Sequence, residues 1–352
     1  MQFFLDKTEV WFTALENSVD ISSVFCVINL PFSDSAITVR WYGVLIAFGY
    51  ILAALFGGRI AYTWKIDLNK MVDILIYGSL GGIVGARLYY CLSKWDVYSE
   101  NPLSMLYIWE GGLAIWGGII GGLIGGLITC KVNKINIRNL LDMVGMSLLI
   151  GQGIGRWGNF ANQEAFGTNT TLPWGMYSQK TYNYLAHVIA QGSVNGSEDP
   201  VIASLDPTKP VHPTFLYESL WCLLGFLILY ITLKKARKFS GQLFLMYGVW
   251  YGTGRTIIEG FRTDSLYIGD TTLRTSQVLS LAVAIVCGIA LIVLLIKYIR
   301  HPQPIEGIDF FVGEPPVYWK KQKEKKAAKL AAANNATPVE DIQEDVKENE
   351  TE

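Results

Sequence analysis

The chain has 352 residues, of which 51% are hydrophobic and only 17% are charged. Soluble domains carry about 25% charged residues, so this composition indicates an integral membrane protein. A net charge of −1 lacks the basic excess of a nucleic-acid-binding protein, and no nucleic-acid partner is expected. Three histidines and five scattered cysteines without CxxC spacing predict neither a metal site nor a disulfide framework. We expect no cofactor.

Seven apolar stretches approach the roughly 20 residues that a helix needs to cross a bilayer. They cover residues 43–62, 72–92, 113–130, 140–157, 215–233, 242–258 and 276–299. The sequence therefore predicts an all-α, polytopic membrane helix bundle with seven transmembrane helices in residues 41–300. Residues 1–40 are expected to form an amphipathic or irregular segment at the membrane surface, with no removable signal peptide.

The distribution of lysine and arginine predicts how the bundle is oriented. The connections after the first, third and fifth stretches are short and basic, and the seventh stretch also ends in basic residues. Basic connections stay in the cytoplasm, so we expect the N-terminus outside, an outward-facing loop over 159–214 and a cytoplasmic C-terminus. Residues 301–352 are basic and then acidic, which is typical of a disordered, charged tail. Binding of the basic block to anionic lipid is the alternative.

The fourth stretch ends in a polar, glycine-rich segment. It reads Gly151-Gln-Gly-Ile-Gly-Arg156-Trp-Gly-Asn159-Phe-Ala-Asn162-Gln-Glu164-Ala-Phe-Gly167. Part of it matches GxGxxG, but no strand precedes it and no βαβ unit surrounds it, so a dinucleotide site is rejected. An arginine inside a membrane helix faces the bundle interior or a wet cavity and is functional by default. Snorkelling to the interface is the alternative for Arg156, but Asn159 and Glu164 close behind it favour a polar site.

The sixth stretch carries a second arginine at a similar predicted depth. Arg255, Glu259 and Arg262 follow an i, i+4, i+7 pattern and therefore share one helical face. An ion pair of purely structural role between Arg255 and Glu259 is the alternative. Two converging guanidinium groups would suit a phosphodiester, because the planar fork binds phosphate oxygens bidentately. The nearest abundant phosphodiester is a phospholipid headgroup.

Other polar groups are predicted on the same side of the membrane, and each has an ordinary alternative as an interfacial or loop residue. Tyr42 is one of these groups, and the supporting residues are Arg87, Asn162, Gly167, His212, Tyr217, Glu218 and Arg262. The third stretch has glycine pairs four residues apart from Gly117 to Gly126. This spacing predicts close packing against another helix.

These motifs resemble bacterial prolipoprotein diacylglyceryl transferases. The resemblance rests on the segment from Gly155 to Gly167, on Trp41-Tyr42-Gly43, Glu110-Gly-Gly-Leu and His212-Pro-Thr-Phe-Leu-Tyr217-Glu218, and on Gly-Arg255-Thr-Ile-Ile-Glu259-Gly-Phe-Arg262. It covers roughly residues 35–300 and implies a seven-span enzyme of the bacterial inner membrane, with its active site toward the outer leaflet.

The resemblance also implies the reaction and the site residues. The enzyme would move the diacylglyceryl group of phosphatidylglycerol to the lipobox cysteine of a prolipoprotein signal peptide, giving a thioether and glycerol 1-phosphate. By this resemblance Arg156 and Arg255 bind the lipid phosphate, and Tyr42 is a further residue that binds phosphatidylglycerol. The catalytic set would be Arg156, Asn159, Glu164, Arg255 and Glu259.

One residue departs from the family pattern. Many members have a histidine, considered a thiol-activating base, at the position of Trp116. Tryptophan has no basic nitrogen, so either another group takes the thiol proton or no dedicated base is needed. Two other function classes stay open: a transporter of anions or lipids that uses the same arginines, and a lipid-binding scaffold without turnover.

Overall fold

The computed structural model describes residues 2–3, 7–14, 18–29, 36–191, 204–268, 271 and 273–301. The helices are α1 (Trp41–Thr63), α2 (Leu68–Ser93), α3 (Trp95–Tyr98), α4 (Ile115–Val132), α5 (Ile137–Asn162), α6 (Gln179–Gln191), α7 (Thr214–Lys235), α8 (Gln242–Glu259) and α9 (Thr275–Arg300). The strands are β1 (Gln2–Phe3), β2 (Lys7–Phe12), β3 (Val19–Ser22), β4 (Val24–Asn29), β5 (Ala36–Arg40) and β6 (Met176–Ser178).

Each of the seven predicted stretches forms a helix. Five of these helices, α1, α2, α4, α7 and α9, are long and apolar enough to cross a membrane. Helices α5 and α8 fall below that hydropathy because they carry polar and charged residues, including Arg156 and Arg255. The protein is therefore a mostly helical membrane protein, and the count of seven spans stays a prediction.

The all-α prediction is wrong for a small part of the chain. The described residues form two three-stranded antiparallel sheets, with strand orders β1-β4-β5 and β3-β2-β6. Five of these strands lie in residues 1–40, where we expected an amphipathic or irregular segment. Short strands give weak periodicity, and β2 pairs with β6, which lies far along the chain, with Trp11 opposite Tyr177. A strand partner so distant along the chain cannot be predicted from a local sequence pattern.

Two predicted segments lie partly outside the described residues. Of the charged tail over 301–352, only His301 is described. The loop over 159–214 contains β6 and α6, while residues 192–203 lie outside the described part. The membrane side of this loop remains a prediction.

The glycine stripe of α4 packs closely against α2, as the spacing predicts. A Cβ added to Gly121 would lie 2.1 Å from the carbonyl oxygen of Gly81, and one added to Gly85 would lie 2.4 Å from that of Gly117. Real Cβ atoms do not approach so closely, so these helices can meet only through glycine. Gly126, at the end of the stripe, would meet nothing within 4 Å.

A buried ion pair joins the helices at the end where α5 and α8 begin. The Asp142 carboxylate, which is fully buried, accepts hydrogen bonds from Arg237 Nε at 3.0 Å and Nη2 at 2.7 Å. It also accepts from the backbone N–H groups of Gly241 and Phe244, both at 2.9 Å. The Arg237 guanidinium lies 4.4 Å from the ring centroid of Trp64, just after α1. This cluster fixes the relative positions of α1, α5, α7 and α8.

Candidate active site

Three helices bring charged residues together at one end of the bundle. Arg156 lies near the end of α5, Glu218 lies near the start of α7, and Arg255 and Glu259 lie in the last turns of α8. The connection after α8 adds Arg262 close by. We call Arg156, Arg255, Arg262, Glu218 and Glu259 the arginine cluster.

Glu218 is the centre of the arginine cluster, although sequence reasoning gave it only a supporting role. Its Oε2 contacts Arg156 Nε, and its Oε1 contacts Arg255 Nη1. Arg262 Nη1 lies 4.0 Å from the same Oε1. The Glu218 side chain is only 6% exposed. One buried carboxylate therefore holds the two arginines that were predicted to converge.

Glu259 holds the other side of Arg255. Arg255 Nη2 lies 2.6 Å from Glu259 Oε2, and Ser265 Oγ donates a hydrogen bond to Glu259 Oε1 at 2.9 Å. The backbone carbonyl of Glu259 accepts a hydrogen bond from Arg274 Nη1. The ion pair between Arg255 and Glu259, which the sequence left open as an alternative, is thus present, and Arg255 is shared between two carboxylates.

Arg156 has more hydrogen-bonding capacity left than the other two arginines. Arg262 forms a bidentate pair with Asp264, at 2.9 and 2.8 Å, and both terminal nitrogens of Arg255 contact carboxylates. Arg156 Nη1 makes only a long 3.4 Å hydrogen bond to Asn159 Oδ1, and Nη2 makes none with the described residues. The Arg156 side chain is also the most exposed, at 20% against 14% for Arg255 and 12% for Arg262. A ligand phosphate would meet Arg156 first.

The polar segment after Arg156 folds back on itself. Gln163 has a left-handed backbone, with φ of 53°, and ends α5. The reversal lets Glu164 Oε1 accept hydrogen bonds from Asn159 Nδ2 at 2.9 Å and from Asn162 Nδ2 at 3.4 Å. Glu164 is exposed. It is therefore connected to Arg156 through Asn159 while remaining open to solvent.

His212, Tyr217 and Trp174 form a hydrogen-bonded chain next to the cluster. The hydroxyl of Tyr217 lies 3.0 Å from His212 Nδ1 and accepts a hydrogen bond from Trp174 Nε1 at 2.7 Å. Burial lowers the pKa of His212 below its ordinary value, which favours the neutral imidazole with one basic nitrogen.

Gly167 fixes the His212 loop against the cluster. Its backbone N–H donates to the His212 carbonyl at 2.9 Å, and it pairs with Arg262 in an antiparallel bridge. A Cβ at Gly167 would lie 2.8 Å from the Cβ of His212. Only glycine therefore allows this close approach.

Tyr42 and Arg87, the two remaining predicted residues, have different environments. Tyr42 is exposed at the start of α1, and its ring packs on α5, where a Cβ added to Gly158 would lie 2.7 Å from Tyr42 Cδ2. Arg87 is buried, and the structure does not bring it into the arginine cluster. Its guanidinium donates to carbonyl oxygens in the α2–α4 connection. Arg87 therefore stabilises that connection.

Sequence reasoning missed several residues around the cluster. Asp264, Ser265 and Arg274 come from the connection after α8, and no local pattern marks them as partners of the arginines. Gln152 could have been found, because it precedes Arg156 by four residues and so shares its helical face. Its Nε2 donates to Tyr247 Oη at 2.9 Å, while its buried Oε1 has no hydrogen-bond partner among the described residues.

An apolar cavity of about 610 Å³ lies between α1, α2 and α5 and reaches Gln152. Its walls include Ile46, Leu75 and Met143. The cavity thus begins one helical turn from Arg156 and extends toward the other end of the bundle. No group of three or more His, Cys, Asp or Glu side chains in the described ranges is arranged to hold a metal ion.

Comparison with known proteins gives one consistent result. The family model for prolipoprotein diacylglyceryl transferase matches residues 31–294. A relative from Finegoldia magna is 41% identical over 270 residues, covering 77% of this chain and 95% of the relative. Relatives from Listeria innocua and Staphylococcus aureus strain Newman are 42% and 37% identical, covering 73% and 76% of this chain and 86% and 90% of the relatives. All three are named phosphatidylglycerol–prolipoprotein diacylglyceryl transferase.

Proposed function

The chain belongs to the prolipoprotein diacylglyceryl transferase family, and from this premise we propose that it transfers the sn-1,2-diacylglyceryl group of phosphatidylglycerol to the lipobox cysteine of prolipoproteins. The structural observation that supports this proposal is the arginine cluster beside an apolar cavity. A glycerophospholipid matches both features, because its phosphodiester suits the arginines and its acyl chains suit the apolar cavity.

The reaction joins the cysteine sulfur to carbon 3 of the diacylglyceryl group. The bond from that carbon to the phosphate oxygen breaks, and glycerol 1-phosphate leaves with the bonding electrons. The phosphate therefore gains negative charge in the transition state. Guanidinium groups held in place before the reaction stabilise such charge without reorganisation. Arg156 would donate its unused N–H groups to the leaving phosphate.

The carboxylates of the cluster act as positioning groups in this proposal. Glu218 orients Arg156 and Arg255 together, and Glu259 fixes Arg255 from the other side. Support of this kind keeps reacting groups within a narrow range of productive geometry. The acyl chains of the lipid would occupy the cavity that begins at Gln152.

Two side chains are suited to take the thiol proton in the absence of the family's usual histidine. A free thiol has a pKa of about 8.5, so a nearby base raises the thiolate fraction at neutral pH. The oxygens of Glu218 and Glu259 are engaged by arginine and serine, whereas Glu164 is exposed and His212 favours its neutral form. The variants Glu164→Gln and His212→Gln distinguish these two candidates, because loss of the side chain that accepts the thiol proton should remove nearly all activity. Glu259→Gln should cost less.

The decisive experiment measures release of glycerol phosphate from phosphatidylglycerol by purified, full-length protein in the presence of a lipobox peptide. Release should require the peptide cysteine, and a peptide with serine in its place is the matched control. A transporter or a lipid-binding scaffold would release no glycerol phosphate with either peptide. Absence of release by correctly inserted protein would contradict the proposal.

We also propose seven spans in the bacterial inner membrane, with the arginine cluster toward the outer leaflet and the C-terminus in the cytoplasm. The support is the distribution of basic residues at the helix ends. Single cysteines at Ala236 and Asn195 on a cysteine-free background test it with a membrane-impermeant reagent in intact cells. Labelling is expected at position 195, and labelling at 236 alone would reverse the orientation.

A further inference from the structure

A second cavity lies at the other end of the bundle from the arginine cluster, where α5 and α8 begin and α9 ends. Its volume is about 730 Å³. Three cationic side chains line it: Arg138 in the first turn of α5, Lys238 in the α7–α8 connection and Lys297 in the last turn of α9. His301 also lines the cavity. We call this cavity the basic pocket.

The positive charge of the basic pocket is not neutralised by neighbouring acids in the described ranges. None of the residues that line it is Asp or Glu, and no described carboxylate forms an ion pair with Arg138, Lys238 or Lys297. Asp142, one turn along α5 from Arg138, is fully buried and already engaged by Arg237 and two backbone N–H groups. Arg138 and Lys297 are exposed and Lys238 is half-buried, so an anion can reach them.

The remaining walls of the basic pocket are largely apolar. They include Leu141, Phe244, Leu245 and Leu294. An inorganic anion would gain nothing from these walls. A phospholipid would use both parts of the pocket, because its phosphate meets the cations while the upper part of an acyl chain covers the apolar wall.

If α5 spans the bilayer as proposed above, its length separates the two anion-binding candidates to opposite membrane surfaces. Arg138 and Arg156 are 18 residues apart, which corresponds to about 27 Å along a helix axis. The hydrocarbon core of a bilayer is roughly 30 Å thick. A lipid whose phosphate lies in the basic pocket therefore belongs to the other leaflet from a lipid at the arginine cluster.

We propose that the basic pocket binds the phosphodiester headgroup of an anionic phospholipid in the leaflet opposite the candidate active site. Basic pockets between transmembrane helices are a known way of binding such headgroups. The inference rests on the pocket's charge, walls and position, and it does not depend on the proposed transferase activity. The bound lipid is not a substrate here, because its phosphate is a membrane thickness away from Arg156.

The test is native mass spectrometry of the full-length protein in neutral detergent micelles, titrated with phosphatidylserine. The pocket variant combines Arg138→Gln, Lys238→Gln and Lys297→Gln. The matched control combines Lys131→Gln, Lys235→Gln and Arg300→Gln, which removes the same charge from exposed helix ends that do not line the pocket.

Each pocket cation should contribute about fivefold to affinity, so the pocket variant should bind phosphatidylserine on the order of a hundredfold more weakly. The control should stay within about threefold, because a micelle of neutral detergent has no extended surface potential. If the pocket variant does not fold, Lys297→Gln alone should weaken binding about fivefold, since Lys297 is exposed and unpaired among the described residues.

Four results would overturn the proposal. An equal loss of affinity in the control variant and the pocket variant would indicate general charge attraction. Phosphatidylcholine could bind equally well, which would exclude recognition of net charge. Displacement of the lipid by an equal concentration of inorganic phosphate would identify a free-phosphate site. Unchanged affinity in the folded pocket variant would mean that the lipid does not bind in the basic pocket.

Discussion

Replacement of Arg156 by lysine tests the central chemical claim, because it keeps the charge and removes the planar fork. In the structure, Arg156 uses Nε for Glu218 and has Nη1 and Nη2 left for a ligand. A lysine ammonium at this position can approach Glu218 or the lipid phosphate, but it cannot present parallel N–H groups to both. The variant should therefore lose at least one charge-assisted hydrogen bond to the phosphate.

The size of the effect follows from the strength of that bond. A hydrogen bond to a charged group contributes about 1.5–3 kcal/mol, so the rate of transfer should fall about 10- to 160-fold. The fold should survive, because lysine still provides a cation beside Glu218. Arg255→Lys should also destabilise the fold, because Arg255 contacts two buried carboxylates and lysine would leave one of them without a cation.

The assay follows labelled diacylglyceryl transfer from phosphatidylglycerol to a lipobox peptide, normalised to inserted protein. Thermal unfolding of each variant is measured in parallel, to separate loss of catalysis from loss of fold. Arg300→Lys, at the exposed end of α9, is the matched control and should be indistinguishable from the wild type. Activity of Arg156→Lys within twofold of the wild type would refute phosphate binding by this guanidinium, and with it the proposed mechanism.

Three further predictions concern other parts of the molecule. Asp142→Asn leaves the buried Arg237 without its counter-ion, so the free energy of unfolding in detergent should fall by about 3–5 kcal/mol. Gly121→Ala should reduce the yield of folded protein because its Cβ would lie 2.1 Å from an α2 carbonyl oxygen, whereas Gly126→Ala has open space and should match the wild type. If the His212 imidazole takes the thiol proton, transfer by the wild type should decline as pH falls through the lowered pKa of His212, below the usual value of about 6.5, because protonated imidazole cannot accept a proton. A flat pH profile through this range would exclude the imidazole as base.

Helix positions were predictable from the sequence because helical hydrogen bonds are local. Each residue bonds within its own segment, and the membrane imposes a minimum apolar length. The glycine spacing of α4 likewise predicted a close helix contact, and the face shared by Arg255 and Glu259 placed them within reach of an ion pair, which was left open as an alternative. These features depend only on residues within about two turns of one another.

The tertiary structure alone decided which residues gather around Arg156. Glu218 is 62 residues from Arg156 and 37 from Arg255 along the chain, and only the packing of α5, α7 and α8 makes it the centre of the cluster. Arg87 lies in a predicted membrane helix, as Arg156 does, yet its guanidinium donates to the carbonyl groups of a connection. β2 pairs with a strand more than 160 residues later. A buried charge requires a partner, and contacts between distant segments of the chain determine which residue becomes that partner. No local sequence pattern indicates these contacts.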